Sequence, residues 1–181
     1  MTNEQFDVLK EEFINNIKSY VVESGGIFPH ISIFADLKNP KEGEDRPALI
    51  HIPIPHEYMR DDESKDTFVD EIFPKIADEL KLKFKPTALA WTAEAWVRTA
   101  NKNEKLPDNY KKLPIEKEVI IITIESDTNN ECVIYDIVRN GKQVTPDGDM
   151  VDKIELIEAK NLRYPDGLGG RFSGLFNKLK D

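Results

Sequence analysis

The stretch TALAWTAEAWVR (residues 87–98) decides how the chain folds, because it holds both tryptophans among small residues. Alanine favours a helix and Leu89, Ala93 and Trp96 have helical spacing, but Pro86 stands just before the stretch. With a period of two, one face carries Leu89, Trp91, Ala93, Ala95 and Val97, and the other carries Thr92, Glu94, Trp96 and Arg98. We therefore predict a long β-strand whose Trp91 face belongs to the core.

The composition is that of an ordinary soluble domain: 181 residues, 39% hydrophobic and 33% charged. The net charge of −9 disfavours a general nucleic-acid binder and docking on an anionic membrane. The N-terminal residues lack a signal-peptide pattern, and no apolar run approaches the ~20 residues that span a bilayer. The single cysteine, Cys132, lies in an apolar run and excludes an internal disulfide. These features predict a cytoplasmic protein.

Two helices and a β-hairpin are predicted in the part of the chain that precedes this strand. Residues 3–23 have the spacing of an amphipathic helix, with a capping box at Thr2 and Gln5 and a stop at Gly25-Gly26. HISIFAD (30–36) and PALIHIPIP (47–55) alternate, which predicts a hairpin pairing Ile31 with Ile52 and Ile33 with Ile50, with its prolines at a sheet edge. Residues 64–82 predict a second helix, kinked or restarted at Pro74.

A second hairpin follows the central strand. EVIIITIE (118–125) and CVIYDIVR (132–139) flank the loop SDTNN and are apolar on both faces. The assumed pairing leaves one apolar face uncovered, made of Val119, Ile121, Val133, Tyr135 and Ile137. Asn140-Gly141 predicts a further tight turn, and residues 149–159 fit either an edge strand or a short helix.

The element order predicts an α+β fold: a mainly antiparallel sheet of five or more strands with both helices on one face. Residues 1–160 form a single domain in this interpretation, followed by a C-terminal tail over residues 161–181. The tail is rich in glycine and carries Phe172, Leu175, Phe176 and Leu179, so it either docks on a protein partner or folds back onto its own domain.

Few residues suggest chemistry. His30 and His51 are diagonal neighbours in the first hairpin and are weak candidates for metal ligands, without a supporting HxH or HExxH spacing. Glu94, Trp96 and Arg98 share a strand face that could bind a ligand or a partner, and Asp136 is the one polar residue of an apolar strand. Nucleophile motifs and glycine-rich phosphate loops are absent, so we expect no catalytic residue and no cofactor.

The run AWTAEAWVR, a Pro-containing polar loop, then EKEVIIITIES and VIYDIVRNGK resemble a family of small uncharacterised bacterial and phage proteins. The resemblance covers residues 87–141 and singles out Glu94, Ala95 and Trp96 within a Glu-Ala-Trp strand motif. It implies no activity, because none is established for the family. The acidic composition, which also contains Asn and Lys, suits a phage or marine bacterial origin.

Taken together, the sequence predicts a non-enzymatic assembly or partner-binding module that forms a homodimer or other homo-oligomer. The contact would use the uncovered sheet face with Trp96, or the tail with Phe172 and Phe176. The alternative is an enzyme or ligand-binding domain that uses Glu94, Arg98, Asp136 or the face of His30 and His51.

Overall fold

Six strands form one antiparallel sheet in the order β2-β1-β3-β4-β5-β6, as predicted for an α+β fold. The computed structural model describes residues 1–39, 47–97, 114–163, 172 and 174–180, with the backbone alone for 161–163. In chain order its elements are α1 (Asn3–Ser24), β1 (His30–Leu37), β2 (Ala48–Pro53), a 3-10 turn (His56–Met59), α2 (Asp62–Thr67), a π-helical segment (Phe68–Ile72), α3 (Phe73–Lys83), β3 (Phe84–Val97), β4 (Lys117–Ser126), β5 (Asn130–Val144), β6 (Met150–Arg163) and α4 (Leu175–Lys180). None of the described helices is long and apolar enough to cross a membrane.

The central strand β3 is the predicted long strand, and it pairs with β1 on one side and β4 on the other. Within β3, the adjacent residues Leu89 and Ala90 point to opposite faces of the sheet, and both are fully buried. Trp91 packs in the core with Leu89, as predicted, whereas Trp96 lies on the opposite face. Because both faces of β3 are buried, helices must cover both sides of the sheet.

The helices lie on opposite faces, so the prediction that both share one face is wrong. The face of Ala90, Ile122 and Tyr135 packs against α1. The face of Leu89 and Ile33 packs against α3 and α4 instead. The physical reason is the sequence of β3 and β4, whose apolar residues fall on both faces and leave neither one to water.

Helix α1 begins and ends as its sequence predicts. The Thr2 hydroxyl accepts a hydrogen bond from the Gln5 N–H at 3.2 Å, and the Gln5 side chain accepts one from the Thr2 N–H at 2.8 Å. Gly25 ends the helix with a φ of 74°, where its N–H donates to the Val21 carbonyl. A side chain at Gly25 would stand 2.7 to 2.9 Å from Val151 and the Asp152 backbone, so α1 and β6 touch through a glycine.

Pro74 shapes the second helical region. The chain passes from α2 through the π-helical segment into α3, and Pro74 occupies the first turn of α3, where its missing N–H costs least. The predicted restart at this proline is confirmed. The apolar side of the region, with Phe68, Phe73 and Ala77, packs on the sheet face of β1.

The first hairpin has the predicted register: Ile31 is opposite Ile52, and Ile33 is opposite Ile50. β2 is an edge of the sheet and ends at Pro53, in agreement with the edge position expected for a strand with prolines.

The face predicted for the second hairpin is wrong, because it joined Val119 and Ile121 with Val133, Tyr135 and Ile137. Val119 lies opposite Asp136 and Ile121 opposite Ile134, because the chain turns between Ser126 and Asn129, where the Ser126 N–H donates to the Asn129 carbonyl. The predicted five-residue loop is therefore too long, and a shift of one residue moves a strand's side chains to the other face. Val133, Tyr135 and Ile137 face α1 and are buried, so the single uncovered apolar face does not exist in the predicted form.

β5 continues beyond its predicted end. The expected turn at Asn140-Gly141 is wrong: the ladder between β5 and β6 shifts register between Arg139 and Lys142, and Gly141 has a φ of 92° within this irregularity. The turn comes later, where the Gly148 N–H donates to the Thr145 carbonyl. Residues 149–159, left open between helix and strand, fall in β6, the second edge of the sheet.

The described part of the tail folds back onto the sheet, which is one of the two alternatives left open by the sequence. The side chains of α4 and of the residue Phe172 join the core beneath α3: Phe172, Leu175, Phe176 and Leu179. The ring of Phe172 stacks on Trp91 with centroids 4.9 Å apart. Glu125 of β4, only 3% exposed, accepts hydrogen bonds from the N–H groups of Gly174 (2.7 Å) and Phe176 (3.1 Å).

The contact at Gly25 predicts a strong and local effect of adding one methyl group. Gly25→Ala should lower the free energy of unfolding by about 3 kcal/mol or more, because it adds a clash with β6 to the cost of a positive φ. Gly148→Ala is the matched control, since Gly148 has a φ of 91° but open space around it, and about 1–2 kcal/mol is expected there. Urea unfolding measures both, and equal losses would contradict the contact between α1 and β6.

The Glu125 side chain predicts how firmly α4 is held. Glu125→Leu should lower the free energy of unfolding by about 2–5 kcal/mol, because it leaves two N–H groups without their acceptor. Glu125→Gln keeps one acceptor oxygen and should cost less. The exposed Glu79 on α3 supplies the control, and Glu79→Leu should stay within about 0.5 kcal/mol of the parent in urea unfolding. A Glu125→Leu protein as stable as that control would show that these bonds do not hold the tail.

Candidate functional site

Arg139 of β5 is the centre of an ionic cluster on the α1 side of the sheet. Its guanidinium donates to Glu118 of β4 (2.7 Å), Asp152 of β6 (3.1 Å) and Glu94 of β3 (3.3 Å). Lys142 adds a contact of 2.5 Å to Asp152. The cluster therefore ties four neighbouring strands together with groups of both signs.

The cluster changes the protonation of its own members. Burial acts against the charge of Arg139, but the hydrogen bond that it donates to Glu118 and the charges of Glu118, Glu94 and Asp152 raise its pKa above the ordinary value. The hydrogen bond from Lys142 does most to lower the pKa of Asp152, and Arg139 adds to it. Both groups are thus held in their charged forms, which suits an ion-pair network and not a proton-transfer site.

Glu94 also holds the chain where it leaves α1. Its second oxygen accepts a hydrogen bond from the Ile27 N–H at 2.9 Å, and the Gly25 carbonyl accepts one from Arg139 at 3.3 Å. A side chain at Gly26 would stand 2.8 Å from the same Glu94 oxygen, so only glycine fits there without displacing it. Glu94, one of the predicted site residues, is thus fully engaged in positioning α1.

Trp96 stands beside this cluster and is exposed. It lies opposite Glu118 in the β3–β4 pairing, on the face that carries Glu94, and 65% of its surface meets solvent. Phe28 follows directly after the residue that Glu94 binds, and it is 81% exposed. We call Trp96, Phe28, Glu118 and Arg139 the Trp96 surface: two exposed aromatic residues on segments that Glu94 and Arg139 connect by hydrogen bonds and ion pairs.

The remaining candidates of that strand group do not join this surface. Asp136 lies on the other face of the sheet, where it is paired with Val119 of β4. Both of its carboxylate oxygens accept hydrogen bonds from Lys117, at 2.7 and 2.9 Å. Arg98 lies outside the described residues. The proposed ligand site of Glu94, Arg98 and Asp136 is therefore not assembled among the described residues.

The two histidines do meet, with ring centroids 5.7 Å apart. His51 Nδ1 is 2.8 Å from the Ser32 hydroxyl, and His30 Nδ1 donates to the Phe28 carbonyl at 2.9 Å. Ser32 is fully buried, which keeps its hydroxyl from any substrate, and no group of three His, Cys, Asp or Glu residues in the described chain could hold a metal ion. Burial and the nearby His51 lower the pKa of His30, against the opposing effect of the Phe28 carbonyl.

Two further candidates, Phe172 and Phe176, lie inside the protein. They pack with α3 in the core and offer no surface for a partner in this arrangement. Cys132 is buried as predicted, and burial raises the pKa of its thiol, which keeps the reactive thiolate scarce.

Sequence reasoning missed Arg139, Glu118, Asp152 and Glu125. The first signal available was the position of Arg139 and Glu118 at the ends of apolar strands, where a charge must find a partner or reach water. Which charges meet depends on the β4–β5 and β5–β6 registers, and these depend on a turn and an irregularity that the sequence does not mark clearly. The buried Glu125 gave no signal, because its partners lie in the distant tail.

No protein-family model matches this chain, and no curated protein and no solved structure is significantly similar to it. The resemblance through residues 87–141 therefore stays a prediction. The site must be interpreted from its own geometry.

The paired histidines predict an acid sensitivity of the fold. Because the pKa of His30 is lowered in the folded state, its contribution to stability is complete above its ordinary pKa of about 6.5 and is lost as the pH falls from there toward the lowered value. His30→Gln should make the loss of stability between about pH 7 and 5 smaller than in the parent. His56→Gln, at an exposed histidine, is the control and should keep the parent slope in urea unfolding. Parallel slopes for His30→Gln and the parent would contradict the lowered pKa.

Proposed function

We propose that this protein is a non-catalytic assembly or partner-binding module that forms a homo-oligomer through the Trp96 surface. The observation that carries the proposal is that 65% of the Trp96 side chain is exposed. Its strand, β3, is tied to β5 by the ion pair between Glu94 and Arg139. Tryptophan and arginine are enriched among the residues that dominate binding energy at protein interfaces. An exposed ring on a rigid support also loses little conformational freedom on binding.

The charges around Trp96 favour a second copy of the chain as the occupant. The ionic cluster that includes and adjoins this surface combines the acids Glu94, Glu118 and Asp152 with the bases Arg139 and Lys142. A two-fold contact brings the same patch together with itself, so a patch of both signs can place acids opposite bases, whereas a patch of one sign repels its copy. The exposed ring of Trp96 supplies the apolar anchor of such a contact.

The enzyme alternative has less support. Glu94 is occupied by the Ile27 N–H and by Arg139, Asp136 is paired with Lys117 on the other face, and the Ser32 hydroxyl beside His51 is buried. A docking role for the tail would require α4 to leave the core that contains Trp91 and Phe172. The lone, buried cysteine is compatible with the reducing cytoplasm as the compartment of this module.

The proposal predicts the loss of a dimer when Trp96 is truncated. Light scattering coupled to size exclusion should give a dimer for the full chain and a monomer for Trp96→Ala, since losing such an anchor weakens an interface by about 2 kcal/mol or more, roughly 30-fold in Kd. Tyr20→Ala is the control, because Tyr20 is an aromatic residue of α1 that is 51% exposed and lies outside the Trp96 surface. It should remain a dimer. A monomeric parent at high micromolar concentration, or a dimer that persists in Trp96→Ala, refutes the proposal.

A further inference from the structure

A groove runs along the other half of α1, away from the Trp96 surface. It lies between the N-terminal half of α1 and the β1–β2 hairpin and has a volume of about 710 Å³. It exists because α1 packs against β4 and β6, so that no helix of the described residues lies above the β1–β2 side of this face. We call this cavity the α1 groove.

The floor of the α1 groove is apolar. Leu9 and Phe13 line it from α1, and Phe34 and Leu49 line it from the sheet. The rings of Phe13 and Phe34 pack edge to face, with centroids 5.4 Å apart, and form the bottom of the groove. Leu49 remains 44% exposed and Val8, on the helix wall, 54% exposed, so burying them would add favourable free energy to any complex.

The rim of the groove is acidic. Glu4, Glu12 and Asp36 line it, and its described lining contains neither lysine nor arginine. Glu4, Val8 and Glu12 follow one another at intervals of four residues, which puts them in one row along the helix. The occupant must therefore combine an apolar stripe with positive charge on both sides of it.

We propose that the α1 groove binds an amphipathic, positively charged helix of a partner protein. The groove runs along α1 from Glu4 to Asn16, and a helix packed alongside for roughly 18 Å would contain about 12 residues. Such a helix would lie beside α1 and bury the apolar part of this sheet face that α1 does not cover. Its apolar stripe would meet Phe34 and Leu49, and its lysines or arginines would meet Glu4, Glu12 and Asp36.

Other occupants fit this surface less well. A second copy of the chain carries net charge −9 and would bring its own acidic groove, so charge repulsion opposes it. Addition of a strand to the neighbouring edge is hindered because Pro53 of β2 has no N–H to donate. The polyphosphate backbone of a nucleic acid would meet carboxylates.

Binding is tested with a fluorescently labelled synthetic peptide of about 16 residues that forms an amphipathic helix of leucine and lysine. Fluorescence anisotropy against the full chain should give saturable binding that weakens as salt is added. The double variant Glu12→Lys with Asp36→Lys should weaken binding about tenfold or more, and Leu49→Asp should do the same through the floor. All three side chains are exposed, so circular dichroism should show unchanged folding.

Glu11→Lys is the matched control, because Glu11 is exposed on α1 next to Glu12 but does not line the groove. It should leave the Kd within about twofold of the parent. A peptide of the same composition with scrambled order, and one with glutamate in place of lysine, should each bind about tenfold or more weakly. No saturable binding, equal binding of the scrambled peptide, or equal weakening by Glu11→Lys overturns the proposal. The outcome is independent of the Trp96 surface, which retains its own test in the parent chain.

Discussion

The need to cover both faces of β3 governs the rest of the structure. Leu89 and Ala90 are adjacent, point in opposite directions and are both fully buried. One layer of helices cannot satisfy that requirement, so the first helix packs on one face, and α3 and α4 pack on the other. The small alanines of β3 let these layers approach closely on both sides. The buried hydrogen bonds of Glu125 follow from the same requirement, because they keep α4 on the face that α1 leaves open.

The two proposed binding surfaces are the parts of the α1 face that α1 itself does not reach. Beyond its C-terminal end the sheet carries Trp96 among charges of both signs. Beside its N-terminal half the sheet carries Phe34 and Leu49 beneath an acidic rim. The charge pattern distinguishes the partners that each surface can accept: mixed signs are compatible with self-association, and a single sign selects for an opposite one. One helix of limited width thus separates two surfaces of different specificity.

The sequence predicted those elements whose signals are local. The capping box at Thr2, the register of Ile31 and Ile33 with their partners, and the core position of Trp91 required only spacing and periodicity. The failures share a different cause. The turn after Ser126 is short, and one residue of difference there decides which face carries Val133 and Tyr135. The partners of Glu94 and Arg139 lie far apart in the chain, so their meeting follows from the assembled sheet and not from any stretch of sequence.

The large sequence separation between α1 and the strands it packs against affects how the protein folds during synthesis. Lys10 of α1 forms its ion pair with Glu131, 121 residues further along the chain, and Gly25 touches Val151. At about 5–20 residues per second a ribosome needs roughly 6–25 s to produce that span. Until β3, β4 and β5 emerge, Phe6, Phe13 and Ile17 of the finished helix lack most of the sheet residues that they pack against. The nascent chain therefore carries an exposed apolar helix, a form that chaperones recognise, until β5 and β6 emerge and close the α1 face.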